Sequence, residues 1–408
     1  MASHASSEIP TTNWKRTLYI LFFAQMMAVA GFMTSIPFLP LYVEELGTRT
    51  NLSTEFLAGL VYSAQAFTMT IASPIWGALA DRHGRKLMVE RAMFGGTVVL
   101  LLMGFVQSAE QLVLLRAVQG LITGTIGAAN ALVAAATPRE HTGYAMGLLQ
   151  VGIGVGLAVG PLIGGAVADA ISYSAAFYVT AGLLFVAGIL VWWGVDEHFE
   201  PPQTLQNDAR SYVAEWRHVL TSPGIPITYG LRFVSGLGQM MIFPIAPLFI
   251  LSLLPDAANV NTFTGLVVAA ASMMTTISSV YLGRLSDRIG HRRILISSAV
   301  LAALFYLPQS LVTAGWQLLV LQALVGVCMG GLIPAISALL ARYTHEGEEG
   351  AVFGLDHSIT SAARAVAPLI GAAVAAWFGL RATFVAIAII YLVAAAIARM
   401  GLKPAQTG

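Results

Sequence analysis

One cysteine in 408 residues, Cys328, leaves no intramolecular disulfide to form and no zinc-type spacing to build. Charge is just as scarce. Lys, Arg, Asp and Glu together make up 10% of the chain, against roughly 25% in soluble domains, so the polar surface that water requires is missing. The net charge of +1 says nothing about partners, and no basic patch of nucleic-acid type is present. There is no Gly-x-x-x-x-Gly-Lys-Ser/Thr loop, which argues against ATP as an energy source. No nucleophile–base pairing and no metal set stands out, so no catalytic residue, metal ligand or cofactor is assigned and the chain does not read as an enzyme. The first apolar stretch has no small-residue cleavage site and is too long for a signal peptide, so it is expected to stay in the mature protein.

Apolar residues fill the space: they are 57% of the chain. Stretches of roughly 20 residues, each long enough to cross a bilayer as a helix, follow one another at 17–43, 56–80, 87–107, 110–136, 143–168, 173–195, 226–253, 262–284, 293–312, 316–341, 350–376 and 380–400. The expected fold class is an all-α membrane protein of about twelve transmembrane helices in two pseudo-symmetric six-helix bundles. Residues 1–14 form a tail, 15–195 a first bundle, 196–225 a linker, 226–400 a second bundle and 401–408 a second tail. Within the linker, Pro201-Pro202 and Ser222-Pro223-Gly224 are breakers, and Tyr212–Leu220 fits a short surface helix. If the first terminus is cytoplasmic, the cytoplasmic segments hold sixteen Lys and Arg and the opposite side only Arg49 and Arg381. That imbalance sets both termini and the linker in the cytoplasm of a cell inner (plasma) membrane.

The halves repeat. Pro37-Phe38-Leu39-Pro40 returns as Pro244-Ile245-Ala246-Pro247 and Gly160-Pro161 as Ala367-Pro368, each 207 residues on. Gly77-Ala78-Leu79-Ala80-Asp81-Arg82-His83-Gly84 returns as Gly283-Arg284-Leu285-Ser286-Asp287-Arg288-Ile289-Gly290, with Asp287 lying 206 residues after Asp81. A constant offset over half a chain marks one duplicated unit. Two such halves in an apolar protein suggest a transporter that rocks about a central site.

Several residues are costly where they stand. Asp81 lies at a helix C-terminus, where the dipole disfavours an anion, so it needs a partner: Arg85, another arginine, or a helix N-terminus of the opposite half. A decorated basic turn explains one such acid; two, at Asp81 and Asp287, favour a latch between halves. That latch is read as Gly77, Asp81, Arg82, Gly84 and Arg85 with Gly283, Asp287, Arg288 and Gly290. Gly84 suits a turn of positive φ. In span 5, Gly152, Gly156, Gly160 and Gly164 recur every fourth residue, beside Pro161 and Gly165, and make a face another helix can approach closely. In span 4, Arg116, Gln119, Gly120, Thr123, Gly127 and Asn130 share one helical face. An arginine at bilayer depth costs about 2.5–3.5 kcal/mol on insertion scales, so it should face protein or water. It either bonds carbonyls to fix the bundle or takes part in function. Its repeat position is Gln322, which confines the charge to one half.

Span 11 carries His357, Thr360, Ser361 and Arg364 on one face, flanked by Asp356, the only acid placed well inside a span. Burial disfavours the charged form of such a carboxyl unless a cation sits close, which makes Asp356 a candidate proton acceptor. The structural alternative is an ion pair with Arg232 or Arg364. The two overlap, because a proton arriving at Asp356 would release the arginine. The proton-coupling candidates are therefore Asp356, Arg116, His357, Arg364 and Arg232. Gln25, Met26, Tyr62, Gln65, Gln239, Phe243 and Phe353 are candidates for a soft, adaptable cavity wall, with Phe22, Met33, Phe67, Met240, Met241, Met273 and Met274 as further choices. Aromatic and methionine residues also serve plain packing, so part of this set is expected to do only that.

The glycine–aspartate–arginine loop resembles the signature of the Major Facilitator Superfamily. Leu112-x-x-x-Arg116-x-x-Gln119-Gly120 resembles its second motif, and Gly152-x-x-x-Gly156-x-x-x-Gly160-Pro161-x-x-Gly164-Gly165 the antiporter motif of its exporters. With Phe38-Leu39-Pro40-Leu41-Tyr42-Val43-Glu44, they look like the twelve-helix drug:proton antiporters, nearest the bacterial multidrug efflux members. The resemblance covers nearly the whole chain. It implies export of amphipathic drug-like compounds in exchange for protons by alternating access, with a role for Arg116 near proton transfer. The implied partners are a small-molecule substrate, protons and the bilayer, with no nucleic acid, in a monomer. Some drug exporters carry an acid on the first span; between Thr17 and Val43 this chain offers Gln25 and no carboxylate, so that mechanism does not transfer. Two alternatives remain: a proton-linked importer or facilitator of a sugar or other metabolite, and a non-transport membrane sensor or enzyme. The span 5 motif argues for export, the sparse polar lining argues against sugar, and no appended domain suits signalling.

Overall fold

A computed structural model describes residues 14–197, 222, 224–254, 259–344 and 349–402. The expected tail before Trp14, most of the linker with its Tyr212–Leu220 helix, and the end of the second tail lie outside the described residues.

The first half comprises α1 (Trp14–Thr34), α2 (Leu39–Leu46), α3 (Thr54–His83), α4 (Arg85–Met103), α5 (Ala109–Ile122), α6 (Thr125–Ala136), α7 (Thr142–Ala170) and α8 (Tyr173–Gly194). The second half comprises α9 (Ile225–Met241), α10 (Ala246–Leu253), α11 (Val260–Ile289), α12 (His291–Gln309), α13 (Gly315–Tyr343), α14 (Glu349–Phe378) and α15 (Leu380–Gly401). With every backbone polar group in lipid needing an internal partner, helices are the expected solution for a chain this apolar. Ten described helical segments are long and apolar enough to cross a membrane. The other two expected spans, α4 and α12, have 19 residues each but begin in basic turns, Arg85-Lys86 and His291-Arg292-Arg293, which lowers their apolarity; both pack inside their bundles. The architecture is two six-pass bundles.

Three spans read as continuous are broken. Span 1 splits into α1 and α2, and span 7 into α9 and α10. Pro37 and Pro244 lack the N–H a helix interior uses. The gaps are bridged by short turns, Ile36 N to Met33 O at 3.2 Å and Ile245 N to Ile242 O at 3.0 Å. Each restarted helix takes a proline, Pro40 or Pro247, into its first turn, where a missing donor costs nothing. Span 4 splits at Thr123-Gly124: Thr123 returns its hydroxyl to the Gln119 carbonyl at 2.7 Å and Gly124 takes φ +140°. The single polar face expected from Arg116 to Asn130 is thus two faces on α5 and α6.

The short turns Gly84 (φ +96°) and Gly290 (φ +98°) lie at one end of the molecule, the basic end. There Glu197 accepts hydrogen bonds from Arg85 N at 2.9 Å and Lys86 N at 2.7 Å, so an acid just past α8 caps α4. The second half echoes this placement: Arg292 Nη2 donates to the Arg399 carbonyl at 2.7 Å, tying the start of α12 to the end of α15. At the far end, Ser53, Ser108 and Ser172 cap α3, α5 and α8 by accepting from Phe56 N, Gln111 N and Ala175 N. The first half holds two cores, one around Phe38, Tyr42 and Phe177 and one around Leu21, Met93 and Leu149. A larger core around Phe249, Phe384 and Tyr391 fills the second half and takes in Leu41 from the first.

Candidate functional site

Glycine decides where helices meet. On α7, Gly152, Gly156, Gly160 and Gly164 face Phe22, Met26, Ala30 and Thr34, the every-fourth-residue row of α1. A Cβ on Gly156 would fall 2.7 Å from the Met26 carbonyl oxygen, and one on Gly160 would fall 2.8 Å from the Met33 Cβ. The row therefore locks α7 to α1 within the first half.

A second α7 face crosses between halves. Gly143, Gly147, Gly154 and Gly165 share it by helical spacing. A Cβ on Gly143 or Gly147 would meet nothing within 4 Å; on Gly154 it would lie 3.7 Å from Thr276 of α11; on Gly165 it would strike the Asn261 backbone. Gly265 of α11 meets the Pro161 carbonyl in return, and Gly283, further along α11, meets nothing within 4 Å. The two helices cross at the far end and splay toward the basic end. On the other side of the molecule, Gly59 of α3 packs against Pro368 and Ala372 of α14, with a Cβ 2.8 Å from Ala372 Cβ. Among the described residues, the close glycine contacts between the halves lie at the far end, and the glycines of these faces toward the basic end meet nothing.

An acid completes the seal. Asp169, at the end of α7, accepts from Asn261 Nδ2 at 2.7 Å, Asn261 N at 3.2 Å and Thr262 N at 2.7 Å. A carboxylate of the first half thereby caps the first turn of α11 in the second, where the helix dipole favours an anion. Sequence reading missed this residue. It stands one position past the stretch read as span 5, and its partners lie 92 and 93 residues away.

Within the second half lies the shortest ion pair among the described residues. Arg232 of α9 donates to Asp356 of α14 through Nε to Oδ1 at 2.7 Å and Nη2 to Oδ2 at 2.8 Å, a two-pronged geometry. Nη2 also reaches Ser337 Oγ of α13 at 2.8 Å. The side chains of Arg232 and Asp356 are 15% and 12% exposed. Of the two arginines considered for Asp356, the structure selects Arg232. One turn away, Tyr229 donates to the Val352 carbonyl at 2.8 Å.

Arg116 of α5 is 4% exposed. It donates to the Val61 carbonyl of α3 at 3.3 Å and to Gln119 Oε1 at 2.7 Å, and its guanidinium lies 6.0 Å from the Tyr62 ring centre. Tyr62 donates to the Ile36 carbonyl at 2.9 Å and its ring lies 6.4 Å from that of Phe243 across the halves. Arg116, Tyr62 and Phe243 therefore form one series leading from the first bundle to the second. Gln25 is buried, and Met26, Gln65 and Gln239 are half-buried. Met241 is fully buried in the core of the second half, so it lines no cavity; it packs where Gly371 of α14 comes close. The side chain of Phe353 lies outside the described residues, as do those of Gly77, Asp81 and Arg82. Asp287 and Arg288 are exposed, and among the described residues no ion pair holds Asp287.

The Major Facilitator Superfamily model matches residues 21–253 and again residues 228–407, one match for each half. A relative named Multidrug resistance protein MdtG from Enterobacter lignolyticus (strain SCF1) is 37% identical over 402 residues, 98% of this chain and 94% of its own length. Its namesake from Serratia proteamaculans (strain 568) is 38% identical over 382 residues, 93% of this chain and 92% of its own length. Among solved structures, the nucleoside transporter NupG superposes with a TM-score of 0.78 at 13% identity, over 96% of this chain and 100% of that one; this likeness speaks for the fold.

Proposed function

The chain belongs to the Major Facilitator Superfamily, and from that premise we propose that it exports amphipathic, drug-like compounds in exchange for protons by alternating access. It is a multi-pass membrane transporter and not an enzyme. The relatives' name, Multidrug resistance protein, supports the export reading. The observation that carries the coupling is the Asp356–Arg232 pair, an ionic bridge joining three helices of one half at the edge of the cleft.

In the proposed cycle the basic end faces the cytoplasm of the cell inner membrane, with both termini on that side, and the ionised pair belongs to the inward-open state. Substrate enters between Tyr62 and Phe243. When the far end opens, a proton reaches Asp356, neutralises it and frees Arg232, and substrate leaves outward. Return of the proton inward restores the pair. In the closed-inward state the Asp81 and Asp287 turns engage the opposite half; in the present state Asp287 is exposed. The partners are one small-molecule substrate, protons and the bilayer, and the working unit is a monomer.

Proton stoichiometry has physical limits. One proton moving inward supplies about 2.3 kcal/mol per 100 mV and about 1.4 kcal/mol per pH unit. The test is proton counting on purified protein in weak buffer. Antiport predicts that added substrate displaces protons into solution. Proton uptake on adding substrate would instead mark a symporter, and an absence of protein-dependent flux in protein-only vesicles would refute transport of that substrate.

A further inference from the structure

Arg364 is a charged group in the interior of α14 that the proposed cycle leaves without work. It sits eight residues beyond Asp356 and is exposed, and among the described residues it has no ion-pair partner and donates no hydrogen bond. Its direction follows from its neighbours. By helical spacing, Arg364 shares a face with His357, Ser361 and Pro368. Pro368, one turn further out, is buried against Gly59 of the first half. The opposite face carries Val366 and Trp377, 42% and 79% exposed, as lipid-facing residues are. Arg364 therefore points into the cleft between halves, just on the basic side of the far-end seal.

A guanidinium at that depth keeps its charge only beside water or an anion. Among the described residues no carboxylate pairs with it. Asp356 is held on two prongs by Arg232. No carboxylate occurs from Phe56 to Ala80 of α3, nor anywhere in α1, α9 or α13. The Thr360 and Ser361 hydroxyls and the exposed His357 ring stand within one or two turns on the same side of α14. The site thus offers a fixed fork of donors with hydroxyls beside it, and the aromatic pair Tyr62–Phe243 further along the cleft.

We infer that Arg364 receives an anionic group of the substrate, a carboxylate, sulfonate or phosphonate, so that the compounds exported are amphipathic anions. This rests on the export reading above and narrows it. It also changes the energetics: outward passage of a monoanion against one inward proton moves two charges in the same electrical sense, so the potential contributes about 4.6 kcal/mol per 100 mV. A cation exchanged one for one would gain nothing from the potential.

The test uses the full chain in vesicles of neutral lipid under an imposed pH gradient, with two permanently charged fluorescent probes, 8-anilinonaphthalene-1-sulfonate and ethidium. The intact protein is expected to carry the sulfonate, faster when the potential is imposed. Arg364→Gln should cut that flux by about tenfold or more, the worth of a charge-assisted contact, while Arg364→Lys keeps much of it. Arg364→Glu should reverse the preference toward ethidium, a gain that a misfolded variant cannot show. Equal sulfonate flux with Arg364→Gln, or an intact protein that carries ethidium and not the sulfonate, overturns the inference and leaves export standing. No protein-dependent flux of either probe overturns both.

Discussion

At the scale of single residues, the protein holds charges that lipid would not tolerate alone. Arg232 and Asp356 satisfy one another and a serine. Asp356→Ala should strand Arg232 and lower stability by about 3–5 kcal/mol, whereas the double change Arg232→Met with Asp356→Leu should restore most of it. Thermal unfolding of purified protein reads the difference. Equal losses in the single and double variants would show that the pair is not what the arginine requires. The sequence could narrow Asp356's partner to two arginines but not choose. Periodicity puts Arg364 eight residues further along the same helix and says nothing of α9, whose Arg232 arrives from 124 residues away. Gly84 was legible for the opposite reason: its requirement is local, and φ +96° answers it.

At the scale of helices, small residues set the distances. The α7 row against α1 was legible as a face without side chains; its partner was not, because nothing in a glycine repeat names what approaches it. Gly160→Ala must move the Ala30 carbonyl and Met33, and a loss of about 1–3 kcal/mol is expected, as for overpacking elsewhere. Gly147→Ala, on the same helix but facing open space, should be neutral or slightly stabilising, since alanine favours helix. Melting temperatures of the two variants check the pair, and equal effects would contradict the packing described. The breaks in spans 1 and 7 follow from their prolines. The break in span 4 was hidden because Thr123 and Gly124 interrupt neither apolarity nor the polar stripe.

At the scale of the molecule, the duplication and the two bundles were written in repeat offsets, while the state of the cleft was not, since it depends on contacts between halves. The far-end seal consists of Gly165 and Gly265 in crossing helices and of Asp169 capping α11. Asp169→Ala removes a cap worth about 1 kcal/mol, which should raise the far-end-open population about fivefold. Thiol labelling of a cysteine placed near Asn261, from the outside of sealed vesicles, should accelerate accordingly; an unchanged rate would mean the cap does not hold the seal. The central claim is that a proton on Asp356 drives the two halves between their states. It is tested most directly by reconstituting Asp356→Asn, which mimics the protonated acid, and comparing two fluxes of the same substrate. Exchange between equal pools, which needs no proton turnover, should persist, and uphill accumulation under a pH gradient should vanish. Uphill accumulation at the unmodified rate, at equal protein content, would contradict the account.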